Sequence, residues 1–467
     1  MGGMVELPVW FVVLAGMLAA IGLVDRLLSP AVRWFLRRRV NQAIDELNGR
    51  LKLKIRPFKL TSRQVLVDRL VHDPAVVSAA ESHAAGQNLP IAAAMADVSK
   101  FANEIVPSFS AYAYFRVGAQ LARMISNALY RVRLGYSDSD ALARVDPDAT
   151  VIFVMNHRSN MDYVLVTYMA SASTALSYAV GEWARVPILQ SLIRVMGAYF
   201  IRRDAKNLLY RRVLARYVQM ATAAGVTQAI FPEGGLSRDG KLRPVRLGLL
   251  AYIVDAHDPS GRDVVFVPVG INYDRVLEDR TLIAEIDGPP PKKSTLAKSG
   301  RTAAFLFRNL RLRLSGKWHR FGYACVSFGA PVHLKEFLET RGFGKAKPDA
   351  VQREALVAEF GAHLLHQAGE LVPALPVPLV AEAMLAAGLD GIDRLSLKAA
   401  IDRRIDALEA AGRHVLVPHG DRDAALDAGL RMLVMRHILA EGDNGMLTIR
   451  AGEEAVLRYY ANSIAHL

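Results

Sequence analysis

A histidine and an aspartate follow directly on an apolar stretch that has the length of a β-strand. Val151–Met155 is that stretch, and the letters NHRSNMD after it contain His157 and Asp162, which are five positions apart. On a regular helix that spacing puts two side chains about 140° apart around the axis, so they can meet only across a turn. A carboxylate that contacts an imidazole fixes its tautomer and leaves the other ring nitrogen as a base for a hydroxyl group. The pattern predicts a general base at the end of a buried strand, although a helix cap, a core histidine and a surface aspartate would give the same letters.

Similar apolar stretches recur along the middle of the chain. Strands are predicted at Val151–Met155, Ala198–Ile201, Thr227–Phe231, Val264–Ile271 and Gly322–Phe328, with helices between them that include Leu208–Ala223 and Val245–Ala256. This alternation predicts the α/β class, with helices packed on a mostly parallel sheet. Because loops at the carboxyl ends of parallel strands share one edge of a sheet, the polar residues that follow these strands are expected to converge on one pocket.

The polar residues in these loops suit a transfer onto an alcohol that carries phosphate. The substrate-binding candidates are Arg202, Arg203, Lys206, Glu233, Gly234, Ser237, Arg238 and Pro268. Arg203 and Arg238 offer forked donors that match phosphate, and Lys206 adds positive charge. Gly234 allows backbone amides to approach an anion closely, and Glu233 could bind hydroxyl groups. The Gly-Gly loop lacks the spacing of a nucleotide P-loop, so ATP binding is not predicted.

Composition narrows the class of partner. The chain has 467 residues, of which 52% are apolar and 22% charged, which is typical of a folded protein rather than a disordered one. A formal charge of +13 favours anionic partners such as membrane surfaces or phosphate ligands. Cys325 is the only cysteine, so an intrachain disulfide and a cysteine metal cluster are excluded, and no metal site is predicted. Cys325 lies in the apolar letters YACVSF and is expected to fill the core.

The amino-terminal region has the character of a membrane anchor. Leu7–Val24 contains 18 residues without a charge, and five arginines follow it between Arg26 and Arg39. This order predicts a membrane helix with the rest of the chain in the cytoplasm, and a buried hydrophobic helix is the alternative. Basic amphipathic helices predicted at Pro30–Leu47 and Arg301–Arg320 suit contact with anionic lipids, or else present solvated basic faces. The membrane segment argues against nucleic acid as the partner.

Four motifs resemble a known family. The blocks NHRSNMDYVLV, MGAYFIRR, FPEGGLSRDGK and VPVGINYDRV resemble, in this order, the four sequence blocks of the glycerol-3-phosphate acyltransferases, which include the dihydroxyacetone-phosphate acyltransferases. The resemblance extends from about Lys59 to the LRYYANSIAHL segment at the end. Two positions depart from it, since Asn160 stands where histidine is common and Leu236 where arginine is frequent. Bacterial members typically continue well beyond this last segment, so a compact branch or a shortened chain is expected.

The resemblance implies a fold, a reaction and a set of roles. His157 is the implied general base and Asp162 its partner. Arg203, Glu233, Ser237 and Arg238 match positions associated with glycerol-3-phosphate binding, and Pro268 matches the block associated with shaping the pocket. The implied reaction transfers a fatty acyl group from acyl-CoA or acyl-acyl-carrier-protein to the 1-hydroxyl of glycerol-3-phosphate, giving lysophosphatidic acid in the first step of phospholipid synthesis. No cofactor is expected, and the implied location is the cytoplasmic side of the bacterial inner membrane.

The H-x4-D core also fits other acceptors and other domain functions. Acylation of lysophosphatidic acid or dihydroxyacetone phosphate is one alternative, and a membrane-anchored scaffold without turnover is another. The acyl carrier and the oligomeric state stay open. The predicted domains are an anchor with a basic helix (1–47), a helical domain (48–136), an acyltransferase domain (137–344), a linker with hinges at Lys345–Pro348 and Pro373–Pro378 (345–378), and a mainly helical domain that could be winged-helix-like (379–467). That last domain is expected to pack against the catalytic unit rather than to bind DNA.

Overall fold

The computed structural model describes residues 53–181, 187–202, 207–286, 288, 320–343, 349–388 and 390–467. The predicted membrane helix at Leu7–Val24, the basic helix at Pro30–Leu47 and residues 301–319 of the second basic helix lie outside these ranges. Within the ranges, no helix combines the length and apolar character needed to span a bilayer. The elements named below all belong to one unit, Ile55–Leu467.

Helices come first in the described chain. They are α1 (Pro57–Leu60), α2 (Arg63–Val71), α3 (Pro74–Gln87), α4 (Ile91–Ile105) and α5 (Ala119–Leu129), with a π-helical turn at Ala113–Gly118. Pro74 opens α3, where a missing N–H costs no helical hydrogen bond, and the Asp73 side chain caps that end by accepting from the Ala75 N–H. Pro90 occupies the cap position of α4. Each of these prolines therefore separates two helices of this region.

A mostly parallel sheet forms the centre of the chain, as predicted. Its strands are β1 (Arg131–Ser137), β2 (Thr150–Met155), β3 (Ser177–Val180), β4 (Tyr199–Phe200), β5 (Gln228–Ile230), β6 (Val264–Tyr273), β7 (Tyr323–Phe328) and β8 (Val332–His333). Their order is β1-β7-β6-β2-β5-β3-β4, with β8 paired to β6. Only the β6 pairings with β7 and β8 are antiparallel among the pairs of this sheet in the described chain. β2 is therefore a central strand with parallel neighbours on both sides.

Helices cover both faces of the sheet. The remaining helices of this part are α6 (Ser139–Ala143), α7 (Met161–Ala170), α8 (Pro187–Val195), α9 (Leu208–Ala223), α10 (Gly248–Val254), α11 (Asp279–Ala284), α12 (Leu334–Glu339) and α13 (Ala350–Glu370). Ile152 and Val154 of β2 share one apolar cluster with α4, α9, α10 and α13. Burying each such side chain contributes roughly 1.5–3 kcal/mol, so this cluster holds β2 firmly in place. α5 and α7 pack against each other outside this cluster.

Three strands of this sheet were not predicted, β1, β3 and the two-residue strand β8. β1 falls inside the stretch predicted to be helical, because its arginines alternate with half-buried residues at the edge of the sheet and leave no apolar run to recognise. β3 has only four residues and was missed within a polar connection. The helices α9 and α10 lie where Leu208–Ala223 and Val245–Ala256 were predicted to be helical.

The carboxyl-terminal region adds a small second sheet and further helices. Its elements are α14 (Pro376–Ala387), β9 (Ile392–Asp393), α15 (Arg394–Ala410), a 3₁₀ turn (Pro418–Gly420), α16 (Arg422–Met435), β10 (Leu439–Glu441), β11 (Met446–Ile449) and α17 (Glu454–Ala461). The three strands are antiparallel in the order β10-β11-β9. A helix, a strand, two helices and two strands follow in the order of a winged-helix domain, the arrangement considered for this region from the sequence.

The hinge predicted at Pro373–Pro378 is wrong. Most of the predicted linker is the 21-residue helix α13, which packs on the sheet through Phe360, whose ring centroid lies 4.9 Å from that of Phe266. Pro376 begins α14, and the residues around it are buried. The proline spacing that indicated flexibility therefore marks a buried helix start. As a result, the carboxyl-terminal elements are attached to the sheet by packed helices.

Candidate active site

The residues 156–160 form a polar turn between β2 and α7, and the side chain of the first of them, Asn156, caps the end of β2. The Asn156 amide donates to the Ile271 carbonyl oxygen at 2.9 Å, and its oxygen accepts from the Ile271 N–H at 2.7 Å. This side chain replaces the next pair of backbone hydrogen bonds between β2 and β6. The chain can therefore leave the sheet after β2 while the N–H and C=O of Ile271 keep hydrogen-bond partners. The residues after Asn156 then turn back toward the amino end of α7.

The His157 and Asp162 side chains meet across that turn. His157 Nδ1 lies 2.9 Å from Asp162 Oδ2, and both side chains are almost fully buried. With its proton on Nδ1, the imidazole donates to the carboxylate, which fixes both the tautomer and the ring orientation. Asp162 also lies in the first turn of α7, where the helix dipole favours a negative charge.

Asp162 is held by three more donors. Its Oδ2 accepts from the backbone N–H groups of Arg158 at 2.8 Å and Ser159 at 3.0 Å. Its Oδ1 accepts from the Tyr273 hydroxyl at 2.7 Å. The role of Tyr273 was missed, because 111 positions separate it from Asp162 and only the pairing of β6 with β2 brings the two residues together. The only sequence signal was its place among the polar residues that follow the fourth predicted strand.

The second ring nitrogen of His157 is available for chemistry. His157 Nε2 is buried and finds no hydrogen-bond partner in the described part of the chain. The ring stacks on Phe231, with centroids 4.0 Å apart and planes 24° apart. The edge of the ring meets Tyr163, whose centroid lies 5.6 Å away. Because the neutral imidazole carries its proton on Nδ1, Nε2 presents a lone pair and can accept a proton from a hydroxyl group.

Glu233 supports the backbone of this turn. Its Oε1 accepts from the His157 N–H at 2.8 Å, and its Oε2 accepts from the Arg243 N–H at 2.8 Å. Burial raises the pKa of the Glu233 carboxyl to about 7, and these two hydrogen bonds together with the positive charges of Arg158 and Arg243 oppose that rise. Glu233 was predicted to bind hydroxyl groups of the substrate, but both its oxygens are engaged in joining the loop after β5 to the turn after β2.

Glu278 holds the outer part of the turn. Its Oε2 accepts from the Ser159 hydroxyl at 2.7 Å, and its Oε1 accepts from the Asn160 side-chain amide at 3.1 Å. Burial raises the pKa of the Glu278 carboxyl, while these hydrogen bonds lower it. Asn160, the position where histidine is common among the proteins that this chain resembles, therefore has a structural partner of its own. Its amide leaves the contact between His157 and Asp162 intact.

Arg158 ties the turn to the carboxyl-terminal region. The side chain is 1% exposed, and its guanidinium donates to the carbonyl oxygens of Gly240 and, at 3.0 Å, Ser463. The Ser463 hydroxyl in turn accepts from the Asn272 side chain at 3.2 Å. The last residues of the chain thus brace the turn and the end of β6 together. The predicted packing of this region against the catalytic unit is confirmed in these contacts.

The other substrate-binding candidates occupy varied places. The Ser237 hydroxyl donates to the Lys241 carbonyl oxygen at 2.7 Å, and Gly234 has a positive φ of 66° that glycine adopts without strain. Arg238 is exposed and lies 3.4 Å from Glu285. Arg202 forms an ion pair with Glu104 at 2.5 Å. Pro268 is in β6 beside Val154, and Arg203 and Lys206 lie outside the described residues.

Metal ligands and thiol chemistry are not evident in this site. Among the residues that the structure describes, no three His, Cys, Asp or Glu side chains are grouped so that they could hold a metal ion. Cys325 is buried in β7, where burial raises the pKa of its thiol to about 12. A thiol with that pKa is protonated at neutral pH, so Cys325 fills the core and is not a nucleophile.

The sheet and the turn that carries His157 match a known domain. Residues 136–272 match the family model described as Acyltransferase. This match spans β2, the His157 and Asp162 turn, the Gly-Gly loop and most of β6. The central part of the chain is therefore an acyltransferase domain.

A second family model matches the carboxyl-terminal part of the chain. Residues 308–467 match the model described as Glycerol-3-phosphate acyltransferase C-terminal region. Residues 136–272 and 308–467 thus match an acyltransferase domain and the carboxyl-terminal region of the glycerol-3-phosphate acyltransferases, and the resemblance of the four sequence blocks to these proteins is confirmed.

Curated relatives carry the same name. Proteins named glycerol-3-phosphate acyltransferase from Pseudomonas putida KT2440 and Pseudomonas entomophila L48 are 29% and 30% identical, over 87% of this chain and 49% of each relative. The protein of that name from Pseudomonas aeruginosa LESB58 is 29% identical over 92% of this chain and 51% of its own length. The chain spans about half the length of these curated relatives.

A solved structure shows a weaker likeness. The crystal structure of the 1-acyl-sn-glycerophosphate (LPA) acyltransferase from Thermotoga maritima is 18% identical, with a TM-score of 0.31 over 54% of this chain and 78% of that one. The match to an acyltransferase therefore depends on the family models and the curated relatives, and not on this structure.

Proposed function

We propose that this protein transfers a fatty acyl group from an acyl thioester to the 1-hydroxyl of glycerol-3-phosphate, giving lysophosphatidic acid. One observation carries the proposal: His157 Nε2 is buried without a partner in the described chain, while Nδ1 is fixed by a carboxylate that itself accepts three further hydrogen bonds. That arrangement is a general base oriented for a hydroxyl group. The domain matches and the shared name of the curated relatives support the choice of reaction.

In the proposed step, His157 Nε2 takes the proton of the 1-hydroxyl as its oxygen attacks the thioester carbonyl. The new C–O bond gives a tetrahedral oxyanion, which collapses as the C–S bond breaks. The imidazolium returns the proton to the departing sulfur, so a thiol and an ester leave and the enzyme is unchanged. Asp162 stabilises the imidazolium through Nδ1, and general-base help of this kind is worth about 10²- to 10⁴-fold in rate.

The phosphate of the acceptor would be held by positive groups on the β5 side of the turn. Arg238 is exposed on the loop after β5. Arg202 follows β4, which lies beyond β5 on the same side of β2 in the strand order. A forked guanidinium binds phosphate through two hydrogen bonds, which orients the substrate as well as attracting it. Arg203 and Lys206 keep their predicted roles in this proposal. Orientation of this kind can lower a barrier by as much as about 7–11 kcal/mol in ideal cases.

The donor and the place of action belong to the same proposal. The donor is an acyl thioester of coenzyme A or of acyl carrier protein, and the chemistry above requires no cofactor. The uncharged stretch Leu7–Val24 and the arginines after it support action at the cytoplasmic side of a bacterial inner membrane. Anionic lipids are the expected surroundings, because the chain has a formal charge of +13.

The test is a single substitution at the proposed base. The His157→Ala variant should lose acyl transfer by at least about 10²-fold, because it removes the group that takes the hydroxyl proton in the proposed step. The measurement is release of thiol with glycerol-3-phosphate as acceptor. His366→Ala is the matched control, since this histidine is exposed on α13, and its activity should equal that of the parent.

Near-normal turnover in a folded His157→Ala protein would overturn the assignment of the base. Supplying glycerol-3-phosphate, dihydroxyacetone phosphate and lysophosphatidic acid in turn, each with both acyl donors, then identifies the acceptor. Absence of thiol release from the parent protein with all three acceptors would favour a scaffold without turnover.

A further inference from the structure

A pocket rich in arginine lies beside β1 and β7, on one side of β2 in the strand order, whereas the Gly-Gly loop follows β5 on the other side. It has a volume of about 350 Å³ and lies between the starts of β1 and β7 and the last turns of α16. Its lining includes Arg131, Arg320, Tyr323, Arg431, Met432 and Met435. Gly322, with φ of +80°, turns the chain into β7 at its wall, where a Cβ would lie only 2.5 Å from Asp274 Cβ. The acyltransferase sheet and the carboxyl-terminal region therefore build this pocket jointly.

The guanidinium groups in this pocket have no acidic partners in the described chain. Arg131, Arg320 and Arg431 form no ion pair there, although nearby arginines do: Arg436 pairs with Asp279 at 2.5 Å and Arg280 with Glu453 at 2.9 Å. Asp274 lies close enough to feel the charge of Arg131, but its two oxygens accept from the backbone N–H groups of Tyr323 and Val377. Three like charges around one cavity repel each other until an anion enters.

The chemistry of the lining suits a phosphate group attached to an organic carrier. Guanidinium forks match phosphate oxygens better than any other side chain. The ring of Tyr323 contacts Arg131 and Arg133, whose guanidinium carbons lie 5.7 and 5.8 Å from the ring centroid. Met432 and Met435 add adaptable apolar surface. A cavity of this size admits a small phosphorylated group and excludes a folded protein surface.

The position of the pocket relative to His157 indicates which phosphate it holds. The order β1-β7-β6-β2-β5-β3-β4 puts the Gly-Gly loop and Arg202 on one side of β2, and β7 and β1 on the other. β7 starts at the edge where β6 ends, since Tyr273 pairs with Ala324, and Tyr273 also donates to Asp162. Two strand spacings separate β7 from β2, so the pocket wall formed by β7 lies at least about 10 Å from the turn of His157.

We propose that this pocket binds a phosphate of the acyl-thioester donor, while the acceptor phosphate is held on the opposite side of His157. The inference rests on the proposed function, because only a reaction with two phosphorylated substrates needs two anion sites around one base. Coenzyme A and the prosthetic arm of acyl carrier protein both carry phosphate on a pantetheine chain, so the shared ligand chemistry is a phosphorylated pantetheine.

Equilibrium dialysis of coenzyme A against the full chain tests the pocket without any turnover. Arg431→Ala and Arg131→Ala should each weaken binding about ten-fold, the loss expected for one charge-assisted hydrogen bond. Arg431→Lys keeps the charge without the fork and should weaken binding less. Arg403→Ala removes one charge from an exposed position of α15 outside the pocket and should leave binding unchanged. Pantetheine, which lacks phosphate, should bind all four variants and the parent equally.

Steady-state kinetics and vesicles separate the outcomes. The KM for acyl-CoA should rise about ten-fold in Arg431→Ala, while kcat and the KM for glycerol-3-phosphate stay within about two-fold of the parent. Unchanged coenzyme A binding in both alanine variants overturns the inference. So does a loss of binding to phosphatidylglycerol vesicles with coenzyme A binding intact, which would make the pocket a lipid headgroup site. A parent protein that binds coenzyme A through Arg431 but transfers no acyl group contradicts the proposed function and leaves the phosphate site standing.

Discussion

The turn after β2 and the loop after β5 flank the same base but are built in opposite ways. In the turn, the side chains from Asn156 to Ser159 and that of Asp162 are buried, and each has hydrogen-bond partners within the protein. The loop starts buried at Glu233 and ends exposed at Arg238. Two buried nitrogens in the turn have no hydrogen-bond partner in the described chain, His157 Nε2 and Arg158 Nε, and of these only His157 Nε2 can act as a base.

This difference indicates separate roles, since the turn positions His157 and the exposed end of the loop is accessible to a phosphate. A buried group without a partner costs free energy, so the surrounding hydrogen bonds must hold His157 in that state until a substrate hydroxyl arrives. The exposed end of the loop carries charge where a phosphate can reach it from solvent. Glu233 lies in the loop after β5, but it is buried and hydrogen-bonded like the residues of the turn after β2. The comparison predicts large kinetic effects from changes in the turn and small ones from changes at the end of the loop.

Asp162→Asn should give the largest kinetic effect of any change to the partners of His157. The amide can present an N–H instead of a lone pair to His157 Nδ1, and it cannot stabilise an imidazolium by charge. We expect kcat to fall about 10²- to 10⁴-fold, with thermal unfolding as a check that the protein is folded. Asp162 accepts four hydrogen bonds, so some loss of stability is also expected.

Tyr273→Phe is the matched variant for Asp162→Asn. It removes one of those four hydrogen bonds while the carboxylate keeps its charge and its contact with His157. Its kcat should fall about ten-fold or less, because the carboxylate keeps its charge and three hydrogen bonds, and a hydrogen bond typically contributes about 0.5–1.5 kcal/mol. An Asp162→Asn protein that is folded and no slower than Tyr273→Phe would contradict the role given to the carboxylate.

Glu233→Gln should have an intermediate effect, seen in both turnover and pH dependence. Glutamine keeps one acceptor for the N–H groups of His157 and Arg243, so one of the two contacts is lost and the His157 backbone is held less firmly. Burial raises the pKa of Glu233 to about 7, so the folded protein holds this proton more tightly than the unfolded chain does. The corresponding stability is present below about pH 4.5 and is lost as pH rises through about 7, by up to about 3 kcal/mol.

The measurement is the free energy of unfolding in denaturant at several pH values. Its decline between pH 4.5 and 7 should be smaller in Glu233→Gln than in the parent, because glutamine does not titrate. Burial also raises the pKa of Asp274 to about 7, so Asp274→Asn should reduce the decline similarly while leaving the Glu233 contact with His157 in place. An unchanged decline in Glu233→Gln would show that Glu233 is ionised throughout this range.

Apolar periodicity and motif spacing predicted the centre of the molecule better than its contacts. β2 and β6 were predictable because every residue in them is buried, which gives an unbroken apolar run. The approach of His157 to Asp162 was predictable because the turn between them is short. β1 was missed because an edge strand needs no apolar run, and Tyr273 because strand pairing, rather than sequence spacing, sets its distance from Asp162. The hydrogen bond from the His157 N–H to Glu233 was not predicted, because the sequence of a loop does not show whether a glutamate faces the substrate or the protein backbone.

Arg238→Ala should give the smallest effect and tests the exposed end of the loop. The side chain is 54% exposed and faces Glu285 at 3.4 Å, so the pair contributes at most about 1 kcal/mol to stability. If Arg238 holds the acceptor phosphate, its loss should raise the KM for glycerol-3-phosphate several-fold and leave kcat within about two-fold. Glu285→Gln is the opposing variant, because it releases Arg238 from its ion pair, and it should lower that KM or leave it unchanged. A fall in kcat as large as that of Tyr273→Phe would mean that the exposed end of the loop also positions the base, and the contrast between the two segments would then fail.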